Sequence, residues 1–221
     1  MPLARKSPGT WQSGLVLNGR SYIFTPMARR TGSHSEITGP RIRKAALSLF
    51  AKSGFAAVSM RQIGAEVGVQ AGALYLYTAD KETLLFDLLR NHMEELIATC
   101  DARPRLIDPA ARLEDFVRFH ILHNLDHADA VFLSYMELRN LSPQNFTVIE
   151  ALRRDYEDRL CGILTLGQGI GVFEVPDAKL ATMAIIAMLN GVSTWFRETG
   201  RLSRTGVGDI YWAMVRKAVT A

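Results

Sequence analysis

This chain of 221 residues has few of the features that mark secreted, membrane or β-rich proteins. It has only two cysteines, Cys100 and Cys161, so no disulfide framework is indicated and reduced thiols are expected. No apolar run reaches the ~20 residues that a bilayer span needs. No alternating pattern of any length predicts strands. These absences favour an all-α protein of the cytoplasm.

Sequence signatures of catalysis are also missing. There is no Gly-x-Ser-x-Gly, no phosphate loop and no His-Glu-x-x-His. The run Gly167-x-Gly169-x-Gly171 lacks the dinucleotide fingerprint spacing and follows no strand pattern. We therefore expect neither an enzyme nor a cofactor.

The segment from residue 59 to 81 predicts two short helices around a glycine turn. Ile63 and Val67 share one helix face, and Gly68 follows where a left-handed residue can end a helix. A second helix with a thin, small-residue start then carries Leu74 as its apolar anchor. A helix presented in this way can enter the DNA major groove.

A longer ordered pattern surrounds this turn. Residues 41–52 carry a 3.6-period apolar stripe, and Asp80 is a suitable N-cap for a further helix. The run from Arg41 to Leu85 resembles the DNA-binding domain of the TetR family of bacterial repressors. The matching pieces are Ala46-x-x-Leu49-Phe50, Lys52-x-Gly54-Phe55, Ser59-Met60-Arg61-x-Ile63, Glu66-x-Gly68-Val69, Gly72-x-Leu74-Tyr75 and Lys81-Glu82-x-Leu84-Leu85.

The resemblance and the helix order together predict the DNA contacts. The start of the second short helix should face base edges, and its flanks should face phosphates. In place of the family's aromatic-His-Phe triplet this chain has Leu76-Tyr77-Thr78, so Tyr77 would replace the histidine at a phosphate. The predicted DNA-binding residues are Arg41, Ser59, Met60, Arg61, Gln70, Ala71, Gly72, Ala73, Tyr75, Tyr77 and Lys81.

The distribution of charge agrees with a DNA-binding N-terminal part. Residues 1–81 contain 11 Lys/Arg and 3 Asp/Glu, a balance of +8, whereas residues 82–221 contain 15 and 19, a balance of −4. Phosphate attraction requires such a basic end. A basic tail that serves only solubility is the alternative.

The first 38 residues differ in composition from the rest. They are rich in Ser, Thr, Gly, Pro and Arg and show no regular spacing of apolar residues. We therefore expect a basic, disordered extension without a secretory signal. Two interpretations remain open. The extension is an arm that adds DNA contacts, or translation truly starts at Met27.

The predicted organisation is an extension over residues 1–38, a helix-turn-helix domain over 39–84 and a larger helical domain over 85–221. Near the C-terminus, helices are expected from Asp177 to about Glu198 and from Asp209 to about Val219. Their apolar faces are wider than packing within one subunit requires. TetR-like proteins dimerise through two such helices, and packing as plain core is the alternative. The predicted dimer interface comprises Ala184, Met188, Gly191, Trp195, Ile210, Tyr211 and Met214.

The resemblance implies a ligand cavity among the middle helices. Aromatic, Met and His groups are candidates for its lining, and arginines could bind an anionic group of the ligand. The alternatives are ordinary core packing and solvated ion pairs. The candidates are Phe116, His120, Phe132, Tyr135, Met136, Arg139, Arg153, Arg154, Tyr156 and Trp195. A loose similarity to regulators of lipid and steroid catabolism suggests a CoA thioester.

Histidines at 120, 123 and 127 share one helix face, which is a spacing that metal ligands can use. Without a nearby Cys or Glu we expect no metal, one pocket histidine and two solvated ones.

Taken together, these patterns and the resemblance predict a homodimeric repressor released from operator DNA by a small molecule. The alternative is a DNA-binding regulator without an effector, and a large enclosed apolar cavity would favour the first over the second.

Overall fold

The computed structural model describes residues 33–220, which form helices and contain no strand. Most of the predicted extension lies outside this range, but its last residues belong to the first helix. The helices in chain order are α1 (Ser33–Ser53), α2 (Met60–Val67), α3 (Ala71–Leu74), α4 (Lys81–Asp101), α5 (Pro109–Asp126), α6 (Ala128–Met136), a 3-10 helix (Leu138–Asn140), α7 (Pro143–Gly169), α8 (Ala178–Asn190), α9 (Val192–Trp195) and α10 (Arg204–Val219).

Local sequence fixes the turn between α2 and α3. Ser59 and Gln62 form a reciprocal capping box at the start of α2. Gly68 ends α2 with φ of 75°, a left-handed conformation that glycine adopts without strain. Gly64 is the point of close approach, since a Cβ on it would lie 2.8 Å from the carbonyl oxygen of Val69. The helix-turn-helix geometry therefore depends on both glycines.

One apolar cluster holds the N-terminal helices together. Ile42 and Phe50 of α1, Ile63 of α2 and Leu74 of α3 are almost fully buried in it, as the sequence predicted. Leu85 and Leu89 of α4 complete the same cluster.

Helix α4 belongs to both halves of the molecule. Its first turns pack on the N-terminal cluster, whereas Met93 and Leu96 belong to the cluster of the C-terminal helices. The predicted boundary between residues 84 and 85 thus falls inside a continuous helix. Helix α4 is therefore a continuous connection between the C-terminal helices and the N-terminal head, which we define as α1, α2 and α3.

Polar contacts also join the head and the start of α4 to the C-terminal helices. The backbone N–H of Phe55 donates to the buried carboxylate of Glu137, just after α6, at 3.1 Å. Glu82 of α4 accepts from the N–H of Ser142 and the side chain of Asn145, both at 2.9 Å. These bonds connect the turn after α1 to the end of α6 and α4 to the start of α7.

Several helix limits differ from the sequence prediction. The N-caps Asp80, Ser142 and Asp177 are confirmed. The long helix expected from Asp177 to Glu198 instead ends at Asn190, where Gly191 separates α8 from α9. The last helix begins at Arg204, capped by Ser203, so the predicted start at Asp209 is wrong.

Candidate DNA-binding surface and effector cavity

The N-terminal end of α3 is open to solvent. Gln70, its N-cap, and Gly72 are exposed, while Ala71 and Ala73 are half-buried. Leu74 is buried and anchors the other side of this helix in the core of the head. A helix with one anchored side and an exposed, small start is able to approach base edges closely.

The start of α2 and the end of α3 frame this surface. Ser59 and Arg61 are exposed, whereas Met60 is half-buried and packs on the core of the head. Arg41 is exposed and donates one Nη2–H to the carbonyl of Val67 at 3.0 Å, which fixes its guanidinium beside the end of α2.

The segment after α3 shows how the departure from the family triplet is accommodated. Leu76 is 83% exposed and was not predicted as a contact. Tyr77 is half-buried and packs on the core of the head. Thr78 is buried, and its hydroxyl donates to the carbonyl of Asp80 at 2.9 Å. Thr78, the third residue of the triplet, thus forms a polar turn where the family has an aromatic side chain.

Lys81 differs from the prediction that it faces phosphate. Its ammonium donates to the carbonyls of Phe55 at 2.9 Å and Val58 at 2.8 Å, and it lies 4.2 Å from the centre of the Phe55 ring. A half-buried ammonium with these partners closes the turn between α1 and α2. We therefore correct Lys81 from a phosphate contact to a residue that holds the head together.

A small cavity lies among the middle helices, with a volume of about 40 Å³. This volume has room for a few water molecules and is far below the ~300–1,000 Å³ of ligand pockets. The space among the middle helices in the described part of the chain is thus too small to be the large enclosed apolar cavity that would favour effector control. The lining residues are His92, Met93, Leu96, His120, Asn124, Val131, Ser134, Tyr135, Arg153, Tyr156, Glu157, Ile186 and Asn190.

Hydrogen bonds connect much of this lining. The two ring nitrogens of His120 lie 2.8 Å from the Tyr156 hydroxyl and 2.9 Å from Asn190 Oδ1. Asn124 Nδ2 donates to Asn190 Oδ1 at 2.7 Å, and the Asn190 amide donates to the Tyr135 hydroxyl. With Nε2–H donating to Asn190, His120 Nδ1 accepts from Tyr156.

The histidines of the cavity are neutral. Burial lowers the pKa of His120 to about 4, although its bond to Asn190 opposes that shift. Burial lowers the pKa of His92 to about 3, with smaller effects from His123 and His127. His92 is only 6% exposed, and its buried Nδ1 has no hydrogen-bond partner among the described residues.

An open groove of about 410 Å³ adjoins the cavity between α7 and α8. Arg153 and Glu157 line both spaces and so mark the junction between them. The guanidinium of Arg153 stacks 5.1 Å from the centre of the Tyr135 ring. Arg154 lines only the outer groove, where it forms an ion pair with Glu150 at 2.7 Å.

Four of the predicted ligand residues line the cavity: His120, Tyr135, Arg153 and Tyr156. The others lie elsewhere, and this corrects the prediction. Phe116 is core and stacks on Tyr156, Trp195 stacks on Tyr211, Arg154 faces the outer groove, and Phe132, Met136 and Arg139 are exposed.

The sequence interpretation missed several polar lining residues: His92, Asn124, Ser134 and Asn190. One signal was present, because Asn124 follows His120 by four residues on one helix face. His92 and Asn190 come from other helices, and only packing brings them together.

The remaining histidines lie between the cavity and the surface. His123 is buried, which corrects its assignment as solvated, and His127 is half-buried and stacked on it at 4.2 Å. The Nδ1–H of His127 donates to the carbonyl of His123 at 2.8 Å. Within residues 33–220 no group of three or more His, Cys, Asp or Glu side chains is arranged to hold a metal ion.

Helices α8, α9 and α10 carry apolar side chains that this chain by itself leaves uncovered. Ala184, Trp195, Ile210 and Met214 of the predicted interface are exposed, whereas Met188 and Tyr211 pack partly on the core. Gly191 is half-buried at the end of α8, where a Cβ would face its own turn. Leu180, which is 62% exposed, and Met183 extend this face and were not predicted. Such faces mark interaction sites.

Comparison with known proteins agrees with this arrangement of a head and a helical core. The family model described as "Bacterial regulatory proteins, tetR family" matches residues 42–88, and "Tetracyclin repressor-like, C-terminal domain" matches residues 107–219. The chain belongs to the TetR family. It is therefore a DNA-binding transcriptional regulator, and the family's members are regulators rather than enzymes.

Individual relatives cover nearly the whole chain. The HTH-type transcriptional repressor KstR2 of Mycobacterium tuberculosis is 30% identical over 88% of this chain and 98% of its own. A tetR-family regulatory protein from Rhodococcus RHA1 superposes with a TM-score of 0.79 at 27% identity, covering 83% of this chain and 97% of its own.

A more distant structure shares the fold alone. AibR, solved with isovaleryl coenzyme A and operator DNA, superposes with a TM-score of 0.73 at 22% identity, covering 80% of this chain and 96% of its own. Among residues 33–220, no helix of this regulator is long and apolar enough to cross a membrane.

Proposed function

We propose that this TetR-family regulator is a homodimeric repressor that leaves its operator when a small anionic acyl compound enters the cavity. The position of Arg153 carries the proposal. It lies where the inner cavity meets the open groove, between a buried polar interior and solvent. A cation at such a mouth suits a ligand with a charged end and a part that is buried beyond it.

A physical route from the cavity to DNA supports effector control. Tyr135 of α6 lines the cavity, and two residues further on Glu137 holds the N–H of Phe55 in the head. A ligand that displaces Tyr135 acts on the same short segment that positions this turn. For release, the ligand must bind the non-DNA-binding conformation more tightly.

Relatives support the ligand class only as an analogy. AibR binds isovaleryl coenzyme A, as its structure shows, and at this identity the likeness concerns the fold. We extend the acyl thioester class to this chain because an acyl group and an anionic end suit the cavity and Arg153 respectively.

The narrow cavity favours one alternative. A volume of about 40 Å³ accepts no acyl chain without expansion. A regulator that uses a protein partner instead of an effector would not need a larger space. Direct ligand screening separates the two functions.

The test uses two neighbouring arginines as a matched pair. CoA thioesters and free acids are screened for loss of an operator gel shift, and each hit is repeated with Arg153→Ala and Arg154→Ala. Losing a charge-assisted bond of ~1.5–3 kcal/mol should raise the releasing concentration roughly 10- to 150-fold for Arg153→Ala. Arg154→Ala should behave as wild type, because its side chain is exposed and paired with Glu150.

Equal sensitivity of both variants to a hit would remove Arg153 from the ligand site. Absence of any hit among anionic acyl compounds would remove the ligand class and favour the regulator without an effector.

A further inference from the structure

The wall of the cavity presents several polar groups beside its apolar surface. Polar groups come from α4, α5, α6, α7 and α8: His92, His120, Asn124, Ser134, Tyr135, Tyr156 and Asn190. Apolar contacts come from Met93, Leu96, Val131 and Ile186. A plain acyl chain placed here would leave any wall group that has no partner within the protein without a hydrogen bond.

Most of these polar groups are already paired with each other, but one is not. Ser134 donates to the carbonyl of Val131 at 2.8 Å, and His120, Asn124 and Asn190 are bonded together. The His92 side chain is part of the cavity wall, and its buried Nδ1 has no hydrogen-bond partner in the described part of the chain. Buried polar atoms are almost always paired, so an unpaired one on a side chain of the wall suits a ligand group that reaches it when the cavity expands.

The charges around the cavity limit which chemical group of a ligand can pair with His92. The buried histidines are neutral, and among the described lining residues Arg153 is the one cation; it lies where the cavity meets the outer groove, as Glu157 does. Groups beyond the mouth are amides, hydroxyls and neutral imidazoles. These pair well with an uncharged oxygen and cannot compensate a buried carboxylate.

We propose that the inner cavity recognises an uncharged oxygen substituent, a hydroxyl or a ketone, far from the charged end of the effector, and that His92 hydrogen-bonds to it. This inference rests on the proposed effector function of the cavity. It narrows the effector from acyl compounds in general to those that carry oxygen on the buried part of the acyl group. A site built around such a bond discriminates strongly against analogues that lack it.

Three CoA thioesters of equal chain length test the inference by calorimetric titration of the full chain: octanoyl-CoA, ω-hydroxyoctanoyl-CoA and octanedioyl-CoA. The hydroxylated compound should bind with a Kd at least about tenfold lower than that of the other two. His92→Phe should abolish this preference, and His92→Gln, which keeps a polar group, should restore part of it. His127→Phe is the matched control outside the cavity and should keep the preference.

Equal or tighter binding of octanoyl-CoA to the wild-type protein would overturn the inference and leave the effector function intact. The tightest binding of octanedioyl-CoA would overturn it too, since a buried charge would then be favoured. A wild-type preference that survives in a folded His92→Phe protein, checked by circular dichroism, would refute the role of His92. If none of the three thioesters binds, while the operator gel shift is normal, the inference fails, and the proposed ligand class is decided separately by the wider screen of anionic acyl compounds.

Discussion

Replacing Lys81 by Met separates a structural role from a phosphate contact. Methionine keeps an apolar stem of similar length and removes the ammonium. The ammonium makes two bonds, at 2.9 Å to the carbonyl of Phe55 and at 2.8 Å to that of Val58. A hydrogen bond to a charged group contributes ~1.5–3 kcal/mol, so two such bonds sum to about 3–6 kcal/mol; because Lys81 is only half-buried we expect a smaller loss, about 2–4 kcal/mol for the pair.

The same change should not alter the salt dependence of operator binding. The binding constant falls with salt, and each lost phosphate contact reduces the magnitude of the slope of log K against log salt by ~1. Arg61→Met provides the control, because Arg61 is exposed in the first turn of α2. That variant should reduce the magnitude of the slope by ~1 per half-site. Its free energy of unfolding should stay within ~0.5 kcal/mol of that of the wild-type protein.

Thermal and urea unfolding measure the first effect, and operator titrations at several salt concentrations measure the second. At ~2–4 °C per kcal/mol for a protein of this size, the Tm of Lys81→Met should fall by about 4 °C or more. An unchanged Tm together with a shallower salt dependence would refute the structural role of Lys81 and support a contact between Lys81 and a DNA phosphate.

Further predictions concern packing, assembly and pH. Gly64→Ala should destabilise the head by ~1–3 kcal/mol in urea unfolding and weaken operator binding, since its Cβ would lie 2.8 Å from the carbonyl of Val69. Leu180→Glu should shift the protein toward monomer in sedimentation, and an unaltered dimer would remove the exposed face of α8 from the interface. His92 and His120 have folded pKa values of about 3 and about 4, below the ordinary 6.5, so the unfolded chain binds more protons between these limits. Stability should therefore fall as pH is lowered from 6.5 toward 4, and a flat Tm across that window would contradict the buried, neutral histidines.

Short-range chemistry in the sequence was sufficient to predict the helix-turn-helix. The left-handed Gly68, the buried Ile63 and Leu74 and the N-cap Asp80 all act within a few residues of their own position. Local hydrogen bonds and a 3.6-residue period decide such features, so they can be inferred before any tertiary contact is known. The all-α class and the N-caps at Ser142 and Asp177 follow from the same local rules.

The tertiary structure decided how individual polar side chains are used. Lys81 closes the turn after α1 because packing brings Phe55 and Val58, more than twenty residues earlier, within hydrogen-bond reach. His92 and Asn190 line the cavity because α4 and α8 both pack around it. These contacts depend on the angles and distances between helices far apart in the chain. Periodicity along one helix shows which face is apolar, but the partner of each polar group is set only when the helices pack together.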